Sequence, residues 1–450
     1  MILRFINRLF LTLALAFVAF GALSAFAAQR EGTRVLSNTV AGCLVLALGF
    51  LWAAVRCKKE GKIRLFLMVL SLSVVELIFQ ATAWLGLLPG VSTKVSCPYG
   101  RVYWTSEGLG NSIRNSDGWY YPEFDLGASN RIAMIGDSFV EAVEVHRTRN
   151  QAAVLQGLLK QDSPAWSVLA LGTHGTSPAH HLDVLEYAQQ HFQPREVILC
   201  LYLGNDITES SPALNYTPPA DFIYYDLDDH NNLVLNPASA DCRDRLRRLR
   251  ESNHAGLFWS LPRILPSHCM MLQSALSIRD AISRRRRRTA LQAAAEQAQP
   301  NNAAAREMGG AGLNSAPFAV NPTPEARRAL RVMERELERC QEICERHGIR
   351  LRLVTIPVFP AAFYQTQKGR DWTLKIGDYD YLGPERELAV FALDHKLPLL
   401  ALGAYLQARK LDVEDIRKLY WFQGTGHFTE AGHDLCARAI QQSFYMDKKH

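Results

Sequence analysis

The sequence predicts an α/β domain on a mostly parallel five-stranded sheet, preceded by three transmembrane helices. Two observations carry this. Three long apolar runs fill residues 1–90, and from Arg131 onward short apolar runs alternate with amphipathic stretches. A chain of 450 residues that is 48% hydrophobic is neither a disordered segment nor a small disulfide-stapled domain.

The first apolar run, Leu9–Ala28, has no charge over 20 residues, and the second, Val35–Val55, has none over 21. The third, Leu65–Leu88, carries only Glu76. Each is long enough to cross a bilayer core of about 30 Å. The loop Arg56–Arg64 holds five basic residues and one acid, which places it in the cytoplasm. Three spans then leave residues 91–450 outside the cytoplasm. Ala25-Phe26-Ala27 resembles a signal-peptidase site, but the run is longer than a signal core, so an uncleaved helix is the reading. Glu76 lies near the middle of its span, where a carboxyl is costly and needs a partner on a neighbouring helix.

Charge supports the same division. Residues 1–90 hold nine Lys/Arg against three acids, which accounts for the whole formal charge of +6. Residues 91–450 hold 41 of each sign. The basic balance is thus an insertion signal, and nucleic acid is not an expected partner. The nine cysteines form neither a disulfide framework nor a zinc pattern.

In the outer domain the expected strands are Arg131–Ile135, Trp166–Leu171, Val197–Leu203, Leu351–Ile356 and Leu397–Leu402. Helices are expected over Gln151–Lys160, Pro178–Gln190, Pro324–His347 and Glu385–His395. Residues 221–235 read as a hairpin turning at Asp228–Asn232. Asp226, Asp228 and His230 lack the glycine and closing Glu of a calcium loop, so no metal is expected there, and no cofactor anywhere. Residues 241–325 read as a basic, partly disordered insertion. Its first part, 241–288, carries twelve Arg, including the run Arg284–Arg288, against four acids. Docking to anionic lipid or an acidic polysaccharide is one reading, and a solvated or self-docking segment is the other.

Chemistry collects at the ends of the expected strands. Gly136-Asp137-Ser138 follows the first and opens a helix, which presents a hydroxyl at the sheet's carboxyl edge. Gly172–Ser177 follows the second and contains Gly175. Gly204-Asn205-Asp206 follows the third. Near the C-terminus, His427 stands in the Gly-rich segment Gly424–Gly432. Ser138 N–H, Gly175 N–H and the Asn205 amide would make a three-donor oxyanion hole, with His427 as base. Asp137 and Asp206 would brace the loops. His433 and His174 are weaker candidates, the first expected to pack or cap a helix.

In these four blocks, taken in order, the chain resembles the SGNH/GDSL hydrolases. Ser138, Gly175, Asn205 and His427 match the residues that name the family, over roughly residues 95–240 and 326–445. The segments GDSFVEAVEV and LYLGNDITES also resemble membrane-anchored bacterial members. The resemblance implies a flavodoxin-like three-layer αβα fold and ester hydrolysis through an acyl-enzyme. It departs at the last block, where Gly424 and Thr425 stand in place of the family's Asp. A Ser–His dyad is therefore expected, with a backbone carbonyl, Gln423 or an acid from another loop orienting the imidazole. The expected function is an esterase or deacylase on acylated envelope or secreted glycans. An O-acyltransferase using the same site, or a non-catalytic glycan-binding module working with polysaccharide-assembly proteins, is the alternative.

Overall fold

The computed structural model describes residues 2–31, 47–84, 115, 117–215, 217–251, 316–358, 379–411, 413–420 and 426–446. They fall into two compact units. The N-terminal unit contains helix α1 (Ile2–Glu31), a second helix over 47–56 (α2) and α3 (Lys59–Trp84). Ile6 and Phe10 of α1 bury against Ala53 and Ala54 of α2. Among the described residues, no helix is long and apolar enough to cross a membrane. The second expected span is described only from Ala47, and 85–88 of the third lie outside the described residues.

The other unit holds the sheet. Its parallel strands are β1 (Asn130–Gly136), β2 (Trp166–Gly172), β3 (Glu196–Tyr202), β6 (Arg350–Ile356) and β7 (Leu399–Ala401), in the order β2-β1-β3-β6-β7. Leaving aside the hairpin strands β4 (Tyr225–Leu227) and β5 (Leu233–Leu235), this is the doubly wound order 2-1-3-4-5. Direction reverses between β1 and β3, so crossovers fall on both faces. Helix α5 (Gln151–Asp162) packs with the C-terminal helix α14 (Glu430–Phe444). Helix α6 (Pro178–Phe192) packs with α10 (Pro324–Arg346). Covered on both faces, Ile132–Ile135 are fully buried, which is why these strands are continuous apolar runs rather than alternating ones.

Strand ends agree with expectation within a residue, except at β7. The expected strand Leu397–Leu402 is three residues long, because Pro398 has no N–H to give the ladder and offers only its carbonyl to Leu353 N–H, at 2.8 Å. At the other end the Glu385 carboxylate accepts from Gly403 N–H and Ala404 N–H, at 2.9 and 2.8 Å. That starts α12 (Leu402–Ala408) early. Glu385 itself lies in α11 (Gly383–Asp394). The hairpin turns as expected: Asp228 accepts from His230 N–H and Asn232 N–H, both at 2.8 Å, and Asn231 takes the left-handed region at φ 59°.

The basic insertion is described only at its two ends. Its first turns form helix α9 (Ala240–Glu251), docked on α6. Arg243, Arg247 and Arg250 sit on one face and close on buried Asp183 at 2.7–2.8 Å. Burial pushes the Asp183 carboxyl up, but the three guanidinium groups outweigh it and hold the group below its usual range. These three arginines serve the fold and are spent on it. Arg284–Arg288 lie outside the described residues.

The backbone of β2 comes close to the turn after β1. A Cβ on Gly172 would stand 2.1 Å from Glu141 N and 2.4 Å from Val140 C. Gly172→Ala is therefore expected to cost about 1–3 kcal/mol or more, since backbone on both sides must move. The measurement is the apparent melting temperature of the full chain in detergent, and an unchanged value would show that the two segments separate freely.

Candidate active site

Three loops leave the same edge of the sheet side by side. β1 and β2 pair in parallel with Gly136 opposite Gly172, so the two strands end level. After β1, Asp137 caps the four-residue helix α4 (Ser138–Glu141), its Oδ1 accepting from Phe139 N–H at 3.0 Å. Ala142 then takes the left-handed conformation (φ 51°) and ends the helix after one turn. Ser138 is left half-buried at the edge, with its own N–H in the first turn.

His427 arrives from the far end of the chain. Its Nε2 lies 2.8 Å from Ser138 Oγ across a sequence separation of 289. The ring is buried and packs edge-on to Phe139 at 5.2 Å, which limits its rotation. With a neutral imidazole, the serine hydroxyl donates to Nε2 and the ring is placed to take that proton. Residues 423–425, where an orienting third member is expected, lie outside the described residues.

His433 is too deep to serve as the base. It is fully buried in α14, it packs against the Phe428 ring, and burial lowers it to about 3. Packing was the expectation for this residue.

Asp137 is buried directly beneath the serine. Burial raises its carboxyl, opposed by Phe139 N–H, the charge of His427 and bonds from Asn205 and Ser138. Its Oδ2 lies 3.5 Å from Ser138 Oγ. Gly175 lies in the loop after β2 with φ 63°, a conformation a glycine adopts without strain. Asn205 caps α7 (Asp206–Glu209) after β3. Its Nδ2 donates to Glu209 Oε2 at 3.3 Å. Asp206 is fully buried, and burial with the charges of Asp137 and Glu209 drives its carboxyl well above the usual range.

The structure adds Glu141 and gives His174 a defined partner. Glu141 is buried in α4, and its Oε2 accepts from both the His174 backbone N–H, at 2.9 Å, and ring Nδ1, at 2.6 Å. One carboxylate thus ties the Gly175 loop to the helix that carries Ser138. The sequence held no signal for this pair, since 33 residues separate them.

Behind the site, Glu336 of α10 is fully buried and accepts from Ser210 Oγ at 2.9 Å. Burial raises its carboxyl to about 8. Between the unfolded value of 4.5 and about 8, the folded chain keeps this proton and the unfolded chain has lost it. Stability from this group is full below 4.5 and is lost as pH rises through about 8. Glu336→Gln is expected to flatten the fall in apparent melting temperature over that window, and an unaltered slope would assign it to other groups.

The sheet order is the doubly wound, flavodoxin-like one that the resemblance implies, with all four blocks on one unit and the first three at its carboxyl edge. No family model matches the chain, and no curated protein does. Among solved structures it is similar to TesA, at 12% identity and a TM-score of 0.35, over 70% of this chain and 98% of that one. It is also similar to a member of the lipolytic protein G-D-S-L family from Veillonella parvula DSM 2008, at 10% identity and a TM-score of 0.34, with coverage of 70% and 98%. Neither likeness bears on what this chain acts on.

Proposed function

We propose that this chain is an acyl-ester hydrolase with Ser138 as nucleophile and His427 as general base. The observation that carries the reading is the 2.8 Å bond between Ser138 Oγ and His427 Nε2, made by two residues from opposite ends of the domain. His427 takes the hydroxyl proton as Oγ attacks the acyl carbon, and the carbonyl electrons move onto oxygen. That oxyanion is met by Ser138 N–H, Gly175 N–H and the Asn205 amide. Collapse expels the alcohol, which leaves with the proton from His427. Water then attacks the acyl-Ser138 with His427 again as base, releasing the acid and restoring the hydroxyl. A sugar hydroxyl in place of water would turn the same cycle into acyl transfer.

The charge of the His427 imidazolium is felt by Asp137, whose own side chain is buried. Without a family aspartate two or three residues before the histidine, the dyad stabilises the imidazolium less than a full triad would, and modest turnover follows.

Ser138→Ala in the full chain is expected to lower acetyl-ester hydrolysis by at least about 10³-fold and to abolish labelling by a fluorophosphonate. A folded wild type with neither turnover nor labelling would overturn the esterase and favour a glycan-binding module. Activity that survives Ser138→Ala would assign the nucleophile elsewhere.

The location belongs to the same proposal. Support comes from the three apolar runs and the positive loop Arg56–Arg64. With the anchor in the inner membrane, the serine works in the periplasm, within reach of acylated envelope or exported glycans. A C-terminal reporter active only outside the cytoplasm is expected to be active. A reporter active only inside would reverse the topology.

A further inference from the structure

Of the three proposed oxyanion donors, Asn205 has competing acceptors beside it. Its Nδ2 lies 3.3 Å from Glu209 Oε2, and the same amide bonds the Asp137 carboxyl. Its Oδ1 is buried and has no hydrogen-bond partner among the described residues. An amide nitrogen owns two hydrogens, and here both have carboxyl oxygens to meet. A hydrogen held by a carboxylate is not available to an oxyanion.

Glu209 is placed there by the backbone. Asn205 caps α7, and Glu209, one turn on, donates its own N–H to Asn205 O at 2.7 Å. The two side chains therefore share a face of a single turn.

We propose that Glu209 is a positioning residue that aims the Asn205 amide through its own protonation. The inference rests on the esterase reading of Ser138 and His427. With the carboxyl neutral, its O–H donates to Asn205 Oδ1 and an Nδ2 hydrogen turns to the reacting oxygen. With the carboxylate ionised, it recaptures that hydrogen and the hole loses its side-chain donor. The exchange needs a half-turn about the terminal torsion of the asparagine, which is soft and nearly two-fold. It also gives the buried Oδ1 a partner, which it otherwise lacks.

The surroundings keep the proton on. Burial pushes the Glu209 carboxyl up to about 8, the charge of Asp137 adds to the rise, and the Asn205 bond opposes it. Among the described residues, the titratable groups that face it are Asp137 at the end of β1, Asp206 in its own helix and Tyr224 just before β4. None of these is a cation. The hole is thus armed below about pH 8 and disarmed above it.

The test is kcat and KM of the full chain in detergent on a soluble acyl ester, from about pH 6 to about pH 10. Wild type is expected to lose kcat with a midpoint near pH 8, with little change in KM. Glu209→Gln keeps a donor toward Oδ1 at every pH, so its kcat should match wild type at neutral pH and hold through the alkaline range. Asn205→Ala should be slower by about 10²–10³-fold, with no alkaline fall near pH 8. An alkaline fall that persists in Glu209→Gln would assign it to another group and overturn the inference. So would a neutral-pH loss in Glu209→Gln as deep as that in Asn205→Ala. A wild type inactive at every pH would overturn the esterase reading itself, and this inference with it.

Discussion

The pairing of β1 with β2 sets everything at the sheet edge. Because Gly136 lies opposite Gly172, the chain after β1 and the chain after β2 leave the sheet at the same height. A parallel sheet puts every strand's carboxyl end on one edge, so the third loop, from β3, emerges beside them. The level ending also brings α4 onto the end of β2, so closely that only a glycine fits at 172. Glu141 then stands where it can take both the N–H and the ring of His174. A slip of one residue would turn each strand's side chains to the other face and part the serine loop from the Gly175 loop.

A domain that buries this many acids must neutralise each of them, and it does so in two ways. Asp183 receives three arginines, and Glu385 receives two backbone N–H groups and the Thr355 hydroxyl. Both surround the carboxyl with donors. Asp206 and Glu336 are offered far less, and burial raises both. The first pair holds helices in place at the periphery, and the second lies behind the Asn205 loop.

How much of this the sequence reveals depends on the range of the interaction. Strands buried on both faces are plain apolar runs, so β1, β2, β3 and β6 were legible to within a residue. Ser138, Gly175, Asn205 and His427 were legible because each sits in a short block at a strand end or in a Gly-rich turn. The structure brings Ser138 and His427 together. The Glu141–His174 tie was not legible, because nothing in either residue's neighbours points to the other. Nor was the orientation of Asn205, which depends on Glu209 and Asp137 at once. Helix α9 was legible in principle. Arg243, Arg247 and Arg250 stand four and three residues apart, the spacing of one helical face, but the net charge of the segment hid the pattern. The shortened β7 was legible too, since Pro398 cannot donate to a ladder.

Asp137 shows why a departure at the last block need not leave the histidine without a counter-charge. Its side chain caps α4 through Phe139 N–H and reaches Ser138 Oγ, so its position is set by the same turn that presents the serine. The charge of His427 in turn acts on its carboxyl. Ring orientation falls to other contacts, among them the edge-on packing against Phe139, the residue whose N–H Asp137 accepts. In a full triad one acid both orients the imidazole and stabilises its charge. Here the edge of Phe139 packs on the imidazole and the carboxyl of Asp137 feels its charge, and both come from the turn that carries the serine.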